Sequence, residues 1–270
     1  MILKYTPSGY IYISPQDDCH ATVDAMLATD YNGDFCLAEG FDTEFTSKLM
    51  EAGFLVMSIN ISGEPDDPFY IMCPKLHLVR STLFFENLHI KKSIRRLLGK
   101  YELKADVEFV RIIDRCVEKH GADWLTPPLV EVIKKIRNLP HHSDSCHLST
   151  TCNPQLIDTN SSSSAPCSLL PIPYPYPTSF ALYRDGKLAA GEFGVVCGNV
   201  YTSYSGFYEE DNAGTVQLIL ATQYLQEHGF SFFDMGMPLD YKSDLGAVDI
   251  SPQEFVRLFR DAQLPVNNVI

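Results

Sequence analysis

The sequence predicts an α+β protein: a mixed, largely antiparallel sheet flanked by helices, preceded by a small N-terminal α/β domain. Three observations carry that expectation. Helical signals dominate residues 91 to 137. Past residue 178 the pattern turns to strands, and SFALYRDGKLAAGEFGVV folds two apolar runs around Asp185-Gly186, a strong hairpin signal. The chain then closes as helix, strand, helix, unlike the regular strand and helix alternation of a doubly wound sheet. The expected boundaries are 1–75 for the small domain and 76–270 for the larger one, with a low-complexity loop insertion at 138–177.

Taken in order, YIYIS (10 to 14) reads as a strand, and Asp17 or Asp18 caps a short helix through Met26. DFCLA (34 to 38) and FLVMSI (54 to 59) are strands on either side of a helix at 43 to 52, which Gly53 stops. LHLVRSTLFF leads to a basic helix from residue 91 that Gly99 ends as a C′ residue. A second helix starts at an Asp106 cap, carries Val107, Val110, Ile113 and Val117 on one face and ends at His120-Gly121. A third opens with Thr126 as cap and Pro127 at the first helical position, where a missing N–H costs nothing. The insertion has no Lys or Arg between Arg137 and Arg184, and its PIPYPYP run favours an extended polyproline-type path. NVYTSYSGF extends the meander. A helix at 213 to 227 buries Val216, Ile219, Leu220 and Leu225, and FSFFD is a short buried strand. Ser251, Pro252 and Glu254 form a capping box for the last helix.

The composition excludes some classes. Hydrophobic content of 45% and charged content of 20% are ordinary for a folded globular chain. No apolar run approaches the ~18 to 20 residues of a membrane helix. MILKYTPSGYIYIS breaks at Pro-Ser-Gly where a signal peptide would stay apolar, so the expected location is the cytosol. Eight cysteines form no CxxC pair and are expected to be reduced and mostly structural. A net charge of −13 repels phosphate at long range. One local patch opposes it: lysines and arginines at 91, 92, 95, 96, 100 and 104 in KKSIRRLLGKYELK, either a solvated helix face or a nucleic-acid contact. In the insertion, His141, His142, Cys146, His147 and Cys152 match no zinc-finger spacing, so no metal is expected.

Three stretches carry a family resemblance. NGDFCLAEGFD (32 to 42) with MEAGF, LHIKKSIRRLLGKYELKADVEF with ADWLTPPLVEVIKKI, and KLAAGEFGVVCGNVYTSYSGFYEEDNAGTVQLILA with LQEHGFSFFDMGMPLDYKSDLGAVDISPQEF resemble, in order and spacing, the blocks of the leucyl/phenylalanyl-tRNA–protein transferases. Together they cover nearly the whole chain outside the insertion. The resemblance implies an acetyltransferase-like (GNAT) fold. It also implies transfer of a leucine- or phenylalanine-type group from aminoacyl-tRNA to the α-amine of proteins beginning with Arg or Lys, which marks them for degradation in the N-degron pathway. No cofactor is implied. The expected partners are aminoacyl-tRNA and acceptor proteins with basic N-termini, with no membrane and the chain acting as a monomer.

By the same resemblance Asp234, in FFDMGMPLDYKSDLGA, is the catalytic candidate that orients the acceptor amine. Substrate-binding candidates are Trp124, Ser205, Phe207, Asn212, Lys92, Arg95 and Arg96. Trp124 reads equally as stacking platform or core, and Asn212 as an oxyanion or phosphate receiver, an ordinary helix N-cap, or both. The sequence departs from the family pattern where a glutamine becomes Gly236, an acid becomes Tyr204, a histidine becomes Tyr241 and a serine becomes Asp244. Glu192 interrupts an apolar strand, either as a replacement acid facing the cleft or as an outward-facing strand residue. Glu209, Glu210 and Asp211 either receive an acceptor's basic side chain or form a solvated loop. Two alternatives stay open: a relative without catalysis that recognises basic N-termini or tRNA, and an acyltransferase with another donor, for which only Asn-Ala-Gly-Thr before the 213 to 227 helix would hold phosphate.

Overall fold

The computed structural model describes residues 2–29, 31–33, 35–62, 64, 66–139 and 172–263. Its strands form two sheets. The first, from residues 4 to 75, has the order β1 (Lys4–Tyr5), β2 (Ile11–Ile13), β3 (Leu37–Ala38), β5 (Tyr70–Lys75), β4 (Leu55–Asn60), with α1 (Cys19–Leu27) and α2 (Thr43–Glu51) in the connections. Both helices begin where an aspartate can satisfy a free N–H: Asp18 accepts from Ala21 N at 3.0 Å and Asp42 from Phe45 N at 2.9 Å.

The second sheet has seven strands in the order β12 (Val248–Ile250), β6 (Arg80–Leu83), β11 (Phe232–Asp234), β10 (Val200–Tyr208), β9 (Lys187–Gly198), β8 (Ile172–Arg184), β7 (Glu102–Ala105). All neighbours are antiparallel except β10 and β11. A parallel pair needs a crossover, and α6 (Ala213–Glu227) supplies it. The hairpin turn is made at Asp185 (φ 50°) and Gly186 (φ 74°), the left-handed pair of a two-residue loop. The remaining helices are α3 (Lys92–Arg95), α4 (Phe109–His120), α5 (Pro127–Arg137), α7 (Asp240–Asp244) and α8 (Pro252–Asp261).

Each face of the seven-stranded sheet covers a core. One cluster joins Phe193, Val195, Cys197 and Phe207 to α4, α5, α8 and the first sheet, so apolar packing is continuous between the two sheets. The other buries Phe180, Val196, Tyr201 and Phe233 beneath Val216, Ile219 and Leu225 of α6.

Several elements differ from expectation. The basic segment is not one helix: α3 ends at Arg95, a 3-10 turn covers Leu98–Lys100 with Gly99 inside it, and Lys104 lies on β7. The α4 helix buries Phe109, Ile112, Ile113 and Cys116 and leaves Val110 exposed, because it begins after Asp106 and Glu108, both left-handed, which rotates the buried stripe. Thr126 precedes α5 without capping it; its hydroxyl meets Ser58 Oγ at 2.6 Å instead. The end of the PIPYPYP run lies within strand β8. The insertion's His141, His142, Cys146, His147 and Cys152 lie outside the described residues. The five described cysteines are free and buried, and burial pushes the thiols of Cys36 and Cys116 up to about 12.

Candidate functional site

The parallel pair β10 and β11 stays together for only three residues, Val200–Thr202 against Phe232–Asp234. Beyond them β10 runs on to Tyr208, so from Ser203 its edge on that side has no strand partner among the described residues. The register against β9 also breaks there, with Ser203 opposite Gly194 but Ser205 opposite Phe193, which makes Tyr204 the extra, bulged residue. Gly194 is required: a Cβ would lie 2.2 Å from Thr202 O and 2.7 Å from the Tyr201 hydroxyl. The Tyr204 hydroxyl accepts from Val56 N at 3.2 Å and ties the bulge to β4 of the first sheet. Among strands, such a parting is where backbone groups and side chains can meet a ligand.

Asp234 is the last residue of β11 and is fully buried. Arg80 of β6, 1% exposed, grips it with Nε on Oδ1 at 2.7 Å and Nη2 on Oδ2 at 2.6 Å. Oδ1 also accepts from Gly236 N at 3.0 Å. The guanidinium stacks 4.2 Å from the Phe255 ring centre, and its Nη1 donates to His77 Nδ1 at 3.0 Å. Burial first, and Arg80 second, pull His77 down to about 2, so its ring is the neutral acceptor of that bond. A void of about 10 Å³ beside Arg80, Thr202 and Tyr204 is roughly one water in size, too small for a substrate.

A second polar group lies on the other face of the sheet. Successive side chains on a strand alternate. Phe233 packs on Tyr201 in the α6 core, so Asp234 points away from α6. Glu192, 2% exposed, points toward α6 and accepts from Gln217 Nε2 at 2.8 Å. Its Oε1 and the nearby Tyr201 hydroxyl influence one another electrostatically but neither closes a hydrogen bond. Burial raises the Glu192 pKa, against the lowering effect of Ser203, Gln217 and Lys242. Lys242 of α7, also buried, donates from Nζ to Met235 O at 2.5 Å and Met237 O at 2.7 Å. Burial brings its pKa down to about 8, with Asp234 and Glu192 opposing the fall.

The other candidates are spread out. Lys92, Arg95 and Arg96 are exposed and make no hydrogen bond or ion pair among the described residues, whereas Lys91 pairs with Asp244 at 2.6 Å. Trp124 is half-buried against the inter-sheet core, and its carbonyl accepts from Ser58 N at 2.9 Å. Ser205 is on the free stretch of β10 with its hydroxyl against Cys116. Phe207 is core, packed where a Cβ on Gly191 would come within 2.8 Å of its ring, with Arg115 over its face at 5.5 Å. Asn212 is exposed and left-handed, and precedes α6 without a side-chain capping bond. Glu192 does not face outward. Glu209 and Glu210 are paired with Arg115 and Arg184.

Arg80, His77, Lys242 and Gln217 escaped the sequence reading. Arg80 looks like a solvated residue in an apolar segment, and only the strand order that places β6 beside β11 brings it to Asp234. Among the described residues no group of acids, histidines and cysteines could hold a metal, and no helix is long and apolar enough to cross a membrane.

Residues 174–260, which run from β8 into α8, match the family model for leucyl/phenylalanyl-tRNA protein transferase. Curated relatives with that name include one from Pseudomonas putida (strain W619), 26% identical over 181 residues, 65% of each chain. Another, from Maridesulfovibrio salexigens, is 25% identical over 189 residues, 68% of this chain and 65% of its own. A third, from Campylobacter jejuni (strain RM1221), is 21% identical over 219 residues, 80% of this chain and 84% of its own. The chain thus spans about 65% of the length of the first two. Solved structures that align include L-PGS from Bacillus licheniformis (TM-score 0.40, 10% identity, 97% of this chain and 89% of that one) and FemX (TM-score 0.37, 11% identity, 95% and 85%), likenesses too distant to carry an argument.

Proposed function

We infer that this chain, a divergent relative of the leucyl/phenylalanyl-tRNA protein transferases, moves an aminoacyl group from tRNA to the α-amine of an acceptor protein. The observation that carries the reading is the place of the family match. Residues 174–260 cover the elements that create the parting of β10 and β11, with Asp234 at its root. The finer reading is a leucine- or phenylalanine-type donor and acceptors beginning with Arg or Lys, which the transfer marks for degradation, in the cytosol and by a single copy of the chain. The GNAT-like fold assignment is supported by the antiparallel run β7 to β10 followed by a helix and a parallel strand.

The chemistry asks for little beyond placement. An α-amine of pKa ~7.7 to 8.0 is roughly a tenth neutral at pH 7, so attack on the ester needs positioning and a charge-stabilising surface more than a strong base. In this reading the free edge of β10 from Ser203 receives the ester and the exposed Lys92, Arg95 and Arg96 receive tRNA phosphates, with Trp124, Phe207 and Asn212 supporting the substrate. Asp234 has three acceptor positions already filled, by Arg80 twice and Gly236 once. It acts on the amine through the remaining lone pair of Oδ2, or by fixing Arg80. Labelled leucyl-tRNA and a peptide beginning with Arg test the reading: transfer of label is expected, and none from leucyl-, phenylalanyl- or other aminoacyl-tRNAs would refute it.

The sealing of Asp234 by Arg80 favours one other reading, a recognition module for basic N-termini without turnover. Calorimetry that finds peptide binding in a protein inert toward every aminoacyl-tRNA would establish that one instead.

A further inference from the structure

We propose that Lys242 is the proton-exchanging group of this site, a role that rests on the transferase reading. Its place in the fold is the first argument. Asp234 and Glu192 lie on opposite faces of the sheet, and Lys242 interacts electrostatically with both. Its Nζ bonds the carbonyls of Met235 and Met237, in the turn directly after the last residue of β11, at the opening where β11 leaves β10. The turn it holds, Met235 to Met237, faces that opening: a Cβ on Gly236 would come within 4.0 Å of Ser203 O on the free edge of β10.

The second argument is how the ammonium is held. Its two hydrogen bonds go to neutral carbonyls, and no carboxylate bonds it among the described residues. Three donors and two acceptors leave one N–H for a substrate atom. The groups that face it are Asp234 from β11, Glu192 from β9, Arg80 from β6, Asp249 from β12, Tyr241 of α7, whose ring centre is 5.7 Å from Nζ, and His77. Burial outweighs the acids and brings its pKa to about 8, close to that of an acceptor α-amine, so proton exchange between the two amines is nearly balanced.

The step balances without another reactant. The acceptor nitrogen forms its bond to the acyl carbon as the carbonyl electron pair moves to oxygen, and neutral Lys242 takes a proton from that nitrogen. The carbonyl re-forms, the bond to the ribose oxygen breaks, and the Lys242 ammonium gives its proton to the ribose oxygen. The products are the amide, free tRNA and the neutral lysine.

The test uses the full chain with leucyl-tRNA and an Arg-initiated peptide across pH. Lys242→Met is expected to lower kcat by about 100-fold or more with KM nearly unchanged. Lys242→Arg retains a donor for the carbonyls but cannot give up a proton, and is expected to be equally impaired. Lys242→Cys alkylated with 2-bromoethylamine restores an amine made less basic by its sulfur, and should recover activity with the pH profile moved to lower pH. Wild-type turnover by Lys242→Arg, or an alkylated variant whose profile does not move, reduces Lys242 to a clamp and overturns the proposal while the transferase reading stands. An unmodified protein inert toward all donors overturns both.

Discussion

Replacing Asp234 with alanine should unfold much of this protein's margin before it says anything about catalysis. The carboxylate is the only acid that bonds Arg80 among the described residues, and both are buried. Removing one partner of a buried pair leaves an uncompensated charge and costs about 3–5 kcal/mol. Here Nε and Nη2 of Arg80 and the Gly236 N–H all lose their acceptor, so the upper half of that range is expected. Against a total of roughly 5–15 kcal/mol, a loss of activity in Asp234→Ala could be unfolding alone. The control is Arg80→Met with Asp234→Leu, which removes both charges from a site already walled by Phe255 and should regain most of the lost stability. Urea titration followed by the fluorescence of Trp124, the one tryptophan, measures both. A single variant costing under about 1 kcal/mol, or a double variant no more stable than the single, would refute the reasoning, since either means the pair is not desolvated as the geometry says.

Three further outcomes are expected. His77 titrates near 6.5 unfolded and about 2 folded, so above pH 6.5 it has no effect, and below that the unfolded state binds a proton the native state refuses. Stability therefore falls with acid, by about 2 kcal/mol at pH 5 from this residue, and His77→Gln should show a flatter urea midpoint between pH 7 and 5 than the wild type. Serine at Lys92, Arg95 and Arg96 together should leave the melting temperature unchanged, because none has a partner among the described residues, while filter binding shows weaker tRNA affinity with a shallower salt dependence. Glu192→Gln should cost less stability than Asp234→Asn, because burial already disfavours the Glu192 charge and its partner Gln217 is neutral, whereas Arg80 requires the charge on Asp234. Equal costs in urea would contradict that ordering.

Local physics made most of the elements legible. Asp18 and Ser251 cap as their side chains dictate, Asp185-Gly186 turns the hairpin, and the 213 to 227 helix falls where its apolar spacing puts it. The failures have non-local causes. The basic segment breaks after Arg95 because Leu97 and Leu98 are drawn into the core beneath α6, which a charge pattern does not reveal. The α4 stripe was displaced by two non-glycine residues in the left-handed region, Asp106 held there by Arg137, Tyr176 and Thr178 and Glu108 by Tyr183 and Arg111. Every one of those partners except Arg111 is distant in sequence. Asp234 was visible as an acid ending an apolar run, but its grip on Arg80, 154 residues away, depends on strand order.

That separation bears on how the site works. Arg80 holds a cation at the root of the opening, Lys242 gains its charge on taking the acceptor's proton, and His77 adds none because it is held neutral. Asp234 is paired with Arg80 through both oxygens, and burial disfavours ionisation of Glu192 on the opposite face. The Arg80 charge is thus buried in the interior of a chain whose total is −13. A transferring ester develops negative charge on its carbonyl oxygen, and fixed cations in a water-poor setting stabilise that charge far more than the same charges would on the surface. In the proposed transfer the exposed Lys92, Arg95 and Arg96 receive the tRNA phosphates, which leaves the interior charge of Arg80 to act on the ester.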